Sequence, residues 1–285
     1  MLINIIGAGK LGKSLGRLIA QSGFAQIGSV FNTTQLTANK SCEFIGQGIA
    51  CAKLSDINSA DVTFITTPDD KIAEICFQLV QLNKLQPKNI IVHCSGSLSS
   101  DILSAAKAIN CMTASLHPIR SFVDPNLSVQ QFHGTFCAIE CEPAIFPNLS
   151  ALVTAIGGQV LQISKETKSL YHAGMVIASN YLVTLFDLAL KCLIATGISL
   201  EQAKPVIASL MESSLQNLTE NLPAKALTGP IKRGDNITIE KHIEALSGEA
   251  ELLSFYKMMG RLTIENLTTH SPELKNKLLA TLQHL

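Results

Sequence analysis

Two polar side chains in an otherwise apolar stretch have types and spacing that suit proton transfer to an oxygen atom. His172 and Asn180 are eight residues apart, so on a helix they would point the same way, two turns apart. A protonated imidazole can give a proton to a developing alkoxide, and a carboxamide can hold a carbonyl oxygen. The spacing is compatible with a catalytic pair, but the two residues taken alone slightly favour the alternative. The alternative is a partly buried His and Asn with only a packing role.

A loop further along the chain offers two adjacent cations. The segment LTGPIKRGD at 227–235 contains Gly-Pro and Gly-Asp pairs that break a helical pattern. Lys232 and Arg233 suit a carboxylate or phosphate ligand, although an isolated pair of cations is more often simply solvated. Asp235 could belong to the same substrate site, or it could cap a helix that begins near Thr238.

The first residues of the chain form a glycine-rich motif of the kind that binds dinucleotides. Gly7, Gly9 and Gly12 make GxGxxG, with Lys10 and Leu11 inside it. The motif follows an apolar strand and opens a helical pattern, which is the context that such a site needs. Gly7 would allow the tight turn, Gly9 the approach of a pyrophosphate, and Gly12 close packing of helix on strand. The alternative is a glycine-rich turn without a ligand.

The end of the second predicted strand indicates which dinucleotide would bind. NAD sites usually place Asp or Glu there, roughly 20 residues after the glycines, but this chain has Asn32, Thr33 and Thr34. No carboxylate is available to bond both ribose hydroxyls or to repel a 2′-phosphate. Short polar donors and the nearby lysines at 10, 13 and 40 could accept that phosphate. The sequence therefore predicts NADP rather than NAD.

Polar and turn-forming residues follow three more apolar strands. Ligands of parallel α/β sheets bind at the carboxyl ends of the strands, so we expect these residues to line the nicotinamide and substrate pocket. Ordinary strand-to-helix turns are the alternative. The candidates for cofactor contact are Thr66, Thr67, Pro68, Cys94 and Ser95, and the candidates for substrate contact are Ser95 and His117.

The elements that must position these residues fall into two parts. Up to Ser164, short apolar strands alternate with helical patterns, which predicts an α/β fold with a doubly wound parallel sheet of Rossmann type. Beyond that point only helical patterns follow. We therefore predict an NADP-binding Rossmann domain at 1–164 and an all-α domain for substrate binding and dimerisation at 165–285.

Composition excludes several classes of function. The chain has 22 Lys plus Arg and 22 Asp plus Glu, so no concentrated positive field is available for nucleic acid or an anionic membrane. Its eight cysteines contain no CxxC pair, and no nearby His or Cys completes a zinc site. Scattered thiols and the lack of a signal-like N-terminal segment predict a cytoplasmic protein without a metal.

One segment tests the prediction that the protein is not a membrane protein. Residues 174–198 are apolar and long enough to cross a bilayer. Asn180, Asp187 and Lys191 interrupt this segment, and the last two are an i,i+4 pair on one helix face. We therefore expect a buried central helix.

Five segments together resemble one known family. It is the family of Rossmann-like proteins with a C-terminal domain of unknown function, DUF2520, and some bacterial members are an alternative type of ketopantoate reductase. That resemblance implies NADPH-dependent reduction of a small 2-keto acid, ketopantoate, to pantoate for pantothenate and coenzyme A synthesis. His172 would donate the proton, Asn180 would orient the carbonyl, and Lys232 or Arg233 would hold the carboxylate. The segments are GAGKLG at 7–12, HCSGSL at 93–98, SLHPIRSF at 115–122, YHAGMVIASNYLVTL at 171–185 and LTGPIKRGD at 227–235.

The architecture also resembles the wider 6-phosphogluconate-dehydrogenase-like group, which implies a homodimer. Other ketopantoate reductases of that group carry a catalytic Lys with an Asn one turn on, whereas this chain has His172 and Asn180 with no Lys at that point. Lys168, one turn before His172, could substitute. Two alternatives stay open: another small substrate, such as a cyclic imine or an arogenate-like acid, or NADP binding without turnover.

Overall fold

The computed structural model describes residues 1–283, and its central feature is an eight-stranded sheet. The strand order is β3-β2-β1-β4-β5-β6-β7-β8, so the chain winds outward from β1 in both directions. This order is that of a doubly wound sheet and confirms the predicted fold class. The strands are β1 (Leu2–Ile6), β2 (Gln26–Phe31), β3 (Ile49–Cys51), β4 (Val62–Ile65), β5 (Ile90–His93), β6 (Met112–Pro118), β7 (Phe136–Cys141) and β8 (Gln159–Gln162).

The sheet is not wholly parallel, which corrects one detail of the prediction. β6 and β7 pair antiparallel, while the other neighbouring strands pair parallel. The connection at 119–135 contains one short helix, Pro125–Gln130, and re-enters the sheet at the same end of the strands from which it left. Because the chain does not cross over to the opposite end of the strands, β7 must run antiparallel to β6.

Both faces of the sheet are buried, because adjacent residues of one strand enter different cores. Phe64 belongs to one apolar cluster and Ile65 to another, and Val92 and Ile91 divide in the same way. Side chains alternate between the faces of a strand, so each cluster lies under one layer of helices. This double burial explains why the strands are continuous apolar runs rather than alternating ones.

The described residues also form α-helices, and those before residue 168 lie on the faces of the sheet. Three of the helices, α5, α9 and α10, have only four to six residues. The helices are α1 (Lys10–Ser22), α2 (Gln35–Ile45), α3 (Ile72–Gln81), α4 (Ser104–Ala108), α5 (Pro125–Gln130), α6 (Phe146–Ala155), α7 (Lys168–Ala195), α8 (Leu200–Glu220), α9 (Pro223–Ala226), α10 (Pro230–Arg233), α11 (Asn236–Ala245), α12 (Ala250–Leu267) and α13 (Pro272–Gln283).

The chain divides into two compact units inside α7. The first, which we call the sheet unit, is Met1–Ala178, and the second, the helical unit, begins at Ser179. The predicted boundary at Ser164 is where the sheet ends, whereas the compact unit continues through the first turns of α7. The reason is that Lys168 and Tyr171 make hydrogen bonds to residues of β6.

The expectation of a buried central helix is wrong for the single chain. Of the residues of α7 only Lys168 is buried. Among residues 1–283, α7 is the one helix whose length and composition would suffice to cross a membrane. The sequence shows that the segment is apolar, but it does not show whether another part of the protein packs against it.

Candidate active site

The glycine turn after β1 has a physical requirement at each glycine. Gly7 has a φ of +87°, and a Cβ there would lie 2.6 Å from the Cγ2 atom of Thr67. At Gly9 the nearest atom to a Cβ is the Gly7 carbonyl oxygen, 3.9 Å away, so the space above it is open. A Cβ at Gly12 would clash with the Thr66 hydroxyl and lie 2.9 Å from the same carbonyl. The turn thus leaves its open face at Gly9.

A cavity of about 640 Å³ lies over this turn, within the sheet unit. Seven of the predicted cofactor residues line it: Gly7, Gly9, Asn32, Thr33, Thr66, Thr67 and Pro68. Six do not, namely Lys10, Leu11, Gly12, Thr34, Cys94 and Ser95. The other lining residues are Ala8, Lys13, Phe31, Thr37, Lys40, Ser41, Lys71, Glu74 and Ile75.

Local structure explains some of these differences. The Thr34 hydroxyl caps α2 by accepting a hydrogen bond from the Thr37 amide at 3.2 Å, so it serves the helix. Ser41 lines the cavity because α2 returns towards the glycine turn, where its hydroxyl donates to the Ala8 carbonyl at 3.0 Å. Sequence reasoning missed Thr37 and Ser41, which lie on α2 with no motif to single them out.

The lining of the cavity suits an anionic ligand that also carries apolar rings. Lys13, Lys40 and Lys71 contribute three cations, and Glu74, which pairs with Lys71 at 3.2 Å, is the one carboxylate among the lining residues of the described chain. The buried Thr67 hydroxyl has no hydrogen-bond partner among residues 1–283. An unpaired buried hydroxyl is costly unless a ligand satisfies it. These features fit a dinucleotide.

A polar loop follows β5 at the next carboxyl end of the sheet. The Ser95 amide donates to His93 Nδ1 at 3.2 Å, and His93 Nε2 lies 3.1 Å from the Ser99 carbonyl. These two bonds give His93 the Nε2–H form. Burial, and then the nearby charge of Lys168, lowers the pKa of His93 to about 4, so the ring stays neutral near pH 7.

The Ser95 hydroxyl ties the same loop to the end of β4. It donates to the Asp69 carboxylate at 2.7 Å, and the Ser97 hydroxyl donates to the same oxygen at 3.2 Å. Ser95 is buried. Its side chain is therefore held by the protein, which accounts for its absence from the cofactor cavity.

Lys168 is a buried cation beneath this loop. The side chain is 1% exposed, and Nζ donates to the hydroxyl of Ser115, which in turn donates to the Ser95 carbonyl at 3.2 Å. Burial lowers the pKa of Lys168 to about 8, although the negative charge of Glu140 acts in the opposite direction. Lys168, offered by the sequence only as a substitute, is thus part of the polar network.

Glu140 and Ser115 were not predicted from the sequence. They face each other across β6 and β7. Glu140 accepts hydrogen bonds from the Ser100 amide and hydroxyl, both at 2.7 Å. A polar residue inside an apolar strand was the available signal, since such a residue must find a buried partner.

His117, Tyr171 and His172 meet around Gly96. His117 Nδ1 lies 2.9 Å from the Tyr171 hydroxyl oxygen, and the rings of the two histidines have centroids 6.1 Å apart. A Cβ on Gly96 would lie 2.5 Å from His172 Cδ2 and 2.9 Å from His117 Cε1. Burial, followed by the charges of Lys168 and His172, lowers the pKa of His117 to about 4. The structure therefore brings His117 and His172 together in one cluster beside Gly96, the residue that follows Ser95.

The remaining predicted residues lie in the helical unit. Asn180 is exposed on α7, two turns after His172 on the same helix. Lys232 Nζ donates to the Ala224 carbonyl at 3.2 Å, and Arg233 is exposed. Asp235 caps α11 by accepting from the Thr238 amide at 3.1 Å and from the Thr238 hydroxyl at 2.7 Å. Asp235 therefore caps a helix, which was one of the two roles considered for it.

No group of three His, Cys, Asp or Glu residues that could hold a metal occurs within residues 1–283.

Comparison with known families gives a match for each part of the chain. The model of a Rossmann-like domain matches residues 1–118. The model of a domain of unknown function, DUF2520, matches residues 135–263. No curated protein matches the chain in sequence.

Solved structures resemble the chain over nearly its whole length. Protein TM1727 from Thermotoga maritima is 24% identical with a TM-score of 0.70, over 99% of this chain and 100% of that one. An imine reductase from Myxococcus stipitatus in complex with NADP+ is 14% identical with a TM-score of 0.69, over 98% and 100%. A pyrroline-5-carboxylate reductase from Coxiella burnetii is 13% identical with a TM-score of 0.59, over 98% and 97%. At these identities the similarity establishes the fold.

Proposed function

The chain joins a Rossmann-like domain to a DUF2520 domain, and from that premise we propose that it is an NADPH-dependent reductase of a small 2-keto acid, ketopantoate. The observation that carries the proposal is that the cavity and the polar cluster lie side by side at the carboxyl ends of the parallel strands. The cavity over the glycine turn adjoins the ends of β1 and β4, and the polar cluster lies at the ends of β5 and β6, the next strands in order. Doubly wound sheets bind their ligands at the carboxyl ends of their strands.

NADP(H) is the cofactor that fits the cavity. The open face at Gly9 leaves room for a pyrophosphate beside the first amides of α1. Lys13 and Lys40 offer charge to a 2′-phosphate, and residues 32–34 contain no carboxylate that would repel it. The imine reductase of the same fold was solved with NADP+. When bound, NADPH supplies the hydride that reduction of a ketone requires.

The side chains predicted from the sequence are assigned to the remaining steps. His172, in the cluster, donates the proton to the developing alkoxide, and Asn180, in the helical unit, is the candidate for orienting the carbonyl group. Lys168 is a second candidate for the proton, because its lowered pKa lets it give up a proton more readily than an exposed lysine. Lys232 and Arg233 are the candidates for holding the substrate carboxylate.

The direct test is NADPH oxidation by the purified protein with ketopantoate, together with growth of a strain that lacks ketopantoate reductase. The expected result is turnover with NADPH and growth without pantoate. Gly9→Val is the matched control, because a Cβ at Gly9 meets no atom closer than 3.9 Å, and the added methyl groups should occupy the approach of the cofactor. Failure of the well-expressed wild type in both assays would reject ketopantoate as the substrate.

A second enzyme activity keeps the cofactor and changes the substrate to a cyclic imine or an arogenate-like acid. The shared fold with a pyrroline-5-carboxylate reductase favours the imine. A panel of keto acids, cyclic imines and arogenate separates these activities by their relative kcat/KM. If NADPH fluorescence is quenched but no substrate is turned over, a protein that binds NADP without catalysis becomes the better account.

We also propose that the protein is a homodimer formed through its apolar helices. Within the helical unit, Val183, Leu210 and Leu222 are 71%, 68% and 74% exposed. Large apolar side chains that are exposed in the single chain would be covered in a dimer, and closed twofold dimers are the commonest oligomers. Light scattering after size exclusion should give twice the chain mass, and a monomer at micromolar concentration would contradict the proposal.

A further inference from the structure

The hydrogen bond between His117 and Tyr171 has a direction that its surroundings determine. It joins the end of β6 to the first turn of α7, both in the sheet unit, at 2.9 Å from Nδ1 to the hydroxyl oxygen. The rings meet edge to face, at 83° with centroids 6.0 Å apart. A neutral imidazole has one donor nitrogen and one acceptor nitrogen, so the partner of one nitrogen decides the role of the other.

Both partners keep their neutral forms near pH 7. Burial raises the pKa of Tyr171 to about 12, so the phenol retains its proton. Burial, followed by the electrostatic effects of Lys168 and of the neighbouring His172, lowers the pKa of His117 to about 4, with Asp69 acting in the opposite direction. A phenol is the stronger donor and an imidazole nitrogen the stronger acceptor, so the bond runs from the Tyr171 hydroxyl to Nδ1. The ring proton of His117 is then on Nε2.

The Nε2 edge of His117 lies against Gly96 in the polar loop. A Cβ on Gly96 would be 3.0 Å from Nε2, and only glycine leaves that space free. The same absent side chain also leaves His172 in place, since a Cβ would lie 2.5 Å from its ring. Two different groups therefore border one small space: an Nε2–H donor that carries no charge, and the ring to which the proposed function assigns the proton.

We propose that Tyr171 is a positioning residue that fixes His117 as the Nε2–H tautomer, and that His117 is a catalytic residue which donates this neutral hydrogen bond to the carbonyl oxygen of the substrate. The second half rests on the proposed function. The bond from Nε2–H polarises the carbonyl while the carbon accepts the hydride, and the oxygen then takes its proton from His172. His117 keeps its own proton throughout, as a neutral imidazole can when it stabilises a developing oxyanion.

The tautomer can be tested without any substrate. Nitrogen-15 NMR of the full-length protein distinguishes protonated from unprotonated ring nitrogens, and His117→Gln identifies the signals. We expect Nε2 protonated and Nδ1 unprotonated, unchanged from pH 5 to pH 8, a range chosen to lie above the lowered pKa of His117. A protonated Nδ1, or titration of the ring within that range, overturns the proposal whether or not ketopantoate is the substrate.

Tyr171→Phe tests the positioning role, with Tyr256→Phe as its matched control. Tyr256 makes the same bond to His242 Nδ1 at 2.8 Å, on α11 and α12. Tyr171→Phe should give a mixture of His117 tautomers and lower kcat by roughly 10- to 100-fold with KM little changed, because a wrongly set tautomer removes an interaction made in the transition state. Tyr256→Phe should alter neither. An unchanged tautomer in folded Tyr171→Phe overturns the positioning role, and unchanged kcat overturns the catalytic one.

Discussion

His117–Tyr171 and His242–Tyr256 are nearly the same pair of side chains in two different surroundings. In both, a tyrosine hydroxyl lies within 2.9 Å of Nδ1 and the rings are inclined by 83°. The first pair joins β6 to α7 beside a buried lysine, and its bond is partly buried. The second joins α11 to α12, and its bond is exposed. Geometry alone therefore does not separate a site from a surface contact.

The two lysines of α7 repeat the contrast along one helix. Lys168, in the sheet unit, is buried and donates a hydrogen bond to Ser115, whereas Lys191, in the helical unit, pairs with Asp187 at 2.9 Å with 65% of its side chain exposed. Burial lowers the pKa of the first, and the adjacent carboxylate raises the pKa of the second. Electrostatic interactions are stronger where water is excluded, because charges there are screened less. The same kind of side chain can therefore differ in its chemistry between the two regions.

The largest expected difference between the two regions is catalytic. His172→Ala should lower kcat by roughly 10²–10⁴-fold if His172 is the general acid, and His242→Ala should leave kcat unchanged. Steady-state NADPH oxidation measures both variants. A loss below about tenfold in folded His172→Ala would reject the role of proton donor and shift it to Lys168.

The next difference concerns stability against pH. The pKa of Lys168 is about 8 in the fold and 10.5 when unfolded. Below pH 8 both states hold the proton and the burial penalty is complete. Between pH 8 and 10.5 only the unfolded state holds it, so unfolding takes up a proton and the free energy of unfolding rises with pH. Relative to Lys168→Met, the wild type should gain up to about 3 kcal/mol across this window.

Urea denaturation at pH 7 and pH 10 measures this gain, and the comparison with Lys168→Met cancels the cysteines and tyrosines that titrate in the same range. Lys191→Met is the matched exposed control and should leave the change between these two pH values as it is in the wild type. If the wild type and Lys168→Met changed in parallel, Lys168 would not be a desolvated cation.

A smaller effect distinguishes two glycines by the space around them. Gly96→Ala drives a methyl group against both histidine rings and should cost about 1–3 kcal/mol of unfolding free energy, with a loss of activity. Gly248 has no atom within 4 Å of a Cβ, so Gly248→Ala should stay within about 0.5 kcal/mol of wild type. If urea denaturation gave the two variants the same free energy of unfolding, the rings of His117 and His172 would be able to move away from the added methyl group without cost.

The smallest effect concerns the cofactor. Lys40→Ala should raise the KM for NADPH by about tenfold, the amount that one charge-assisted contact contributes, and leave the KM for NADH unchanged. Lys204→Ala, an exposed lysine on α8, should change neither. An equal effect of Lys40→Ala on both cofactors would mean that Lys40 does not contact a 2′-phosphate.

Most of the fold could be predicted from the sequence, and the site could be predicted in part. The alternation of strands and long helices follows from local periodicity. Gly7, Gly9 and Gly12 could be assigned because each serves one tight turn. Ser115 and Glu140 could not be assigned, because nothing along either strand says that they face each other. The exposure of α7 was also beyond prediction, since an apolar helix gives the same pattern in a core and on a surface.

The sequence by itself determined the α/β architecture, the glycine turn and the absence of a carboxylate after β2, because backbone sterics and side-chain periodicity act over a few residues. Only the tertiary structure decided which polar groups meet. Lys168 and Ser115 are 53 residues apart in the chain, and His117 and Tyr171 are 54 apart. Such contacts depend on which strand lies beside which helix, and burial, which sets their pKa values, exists only once the chain has packed.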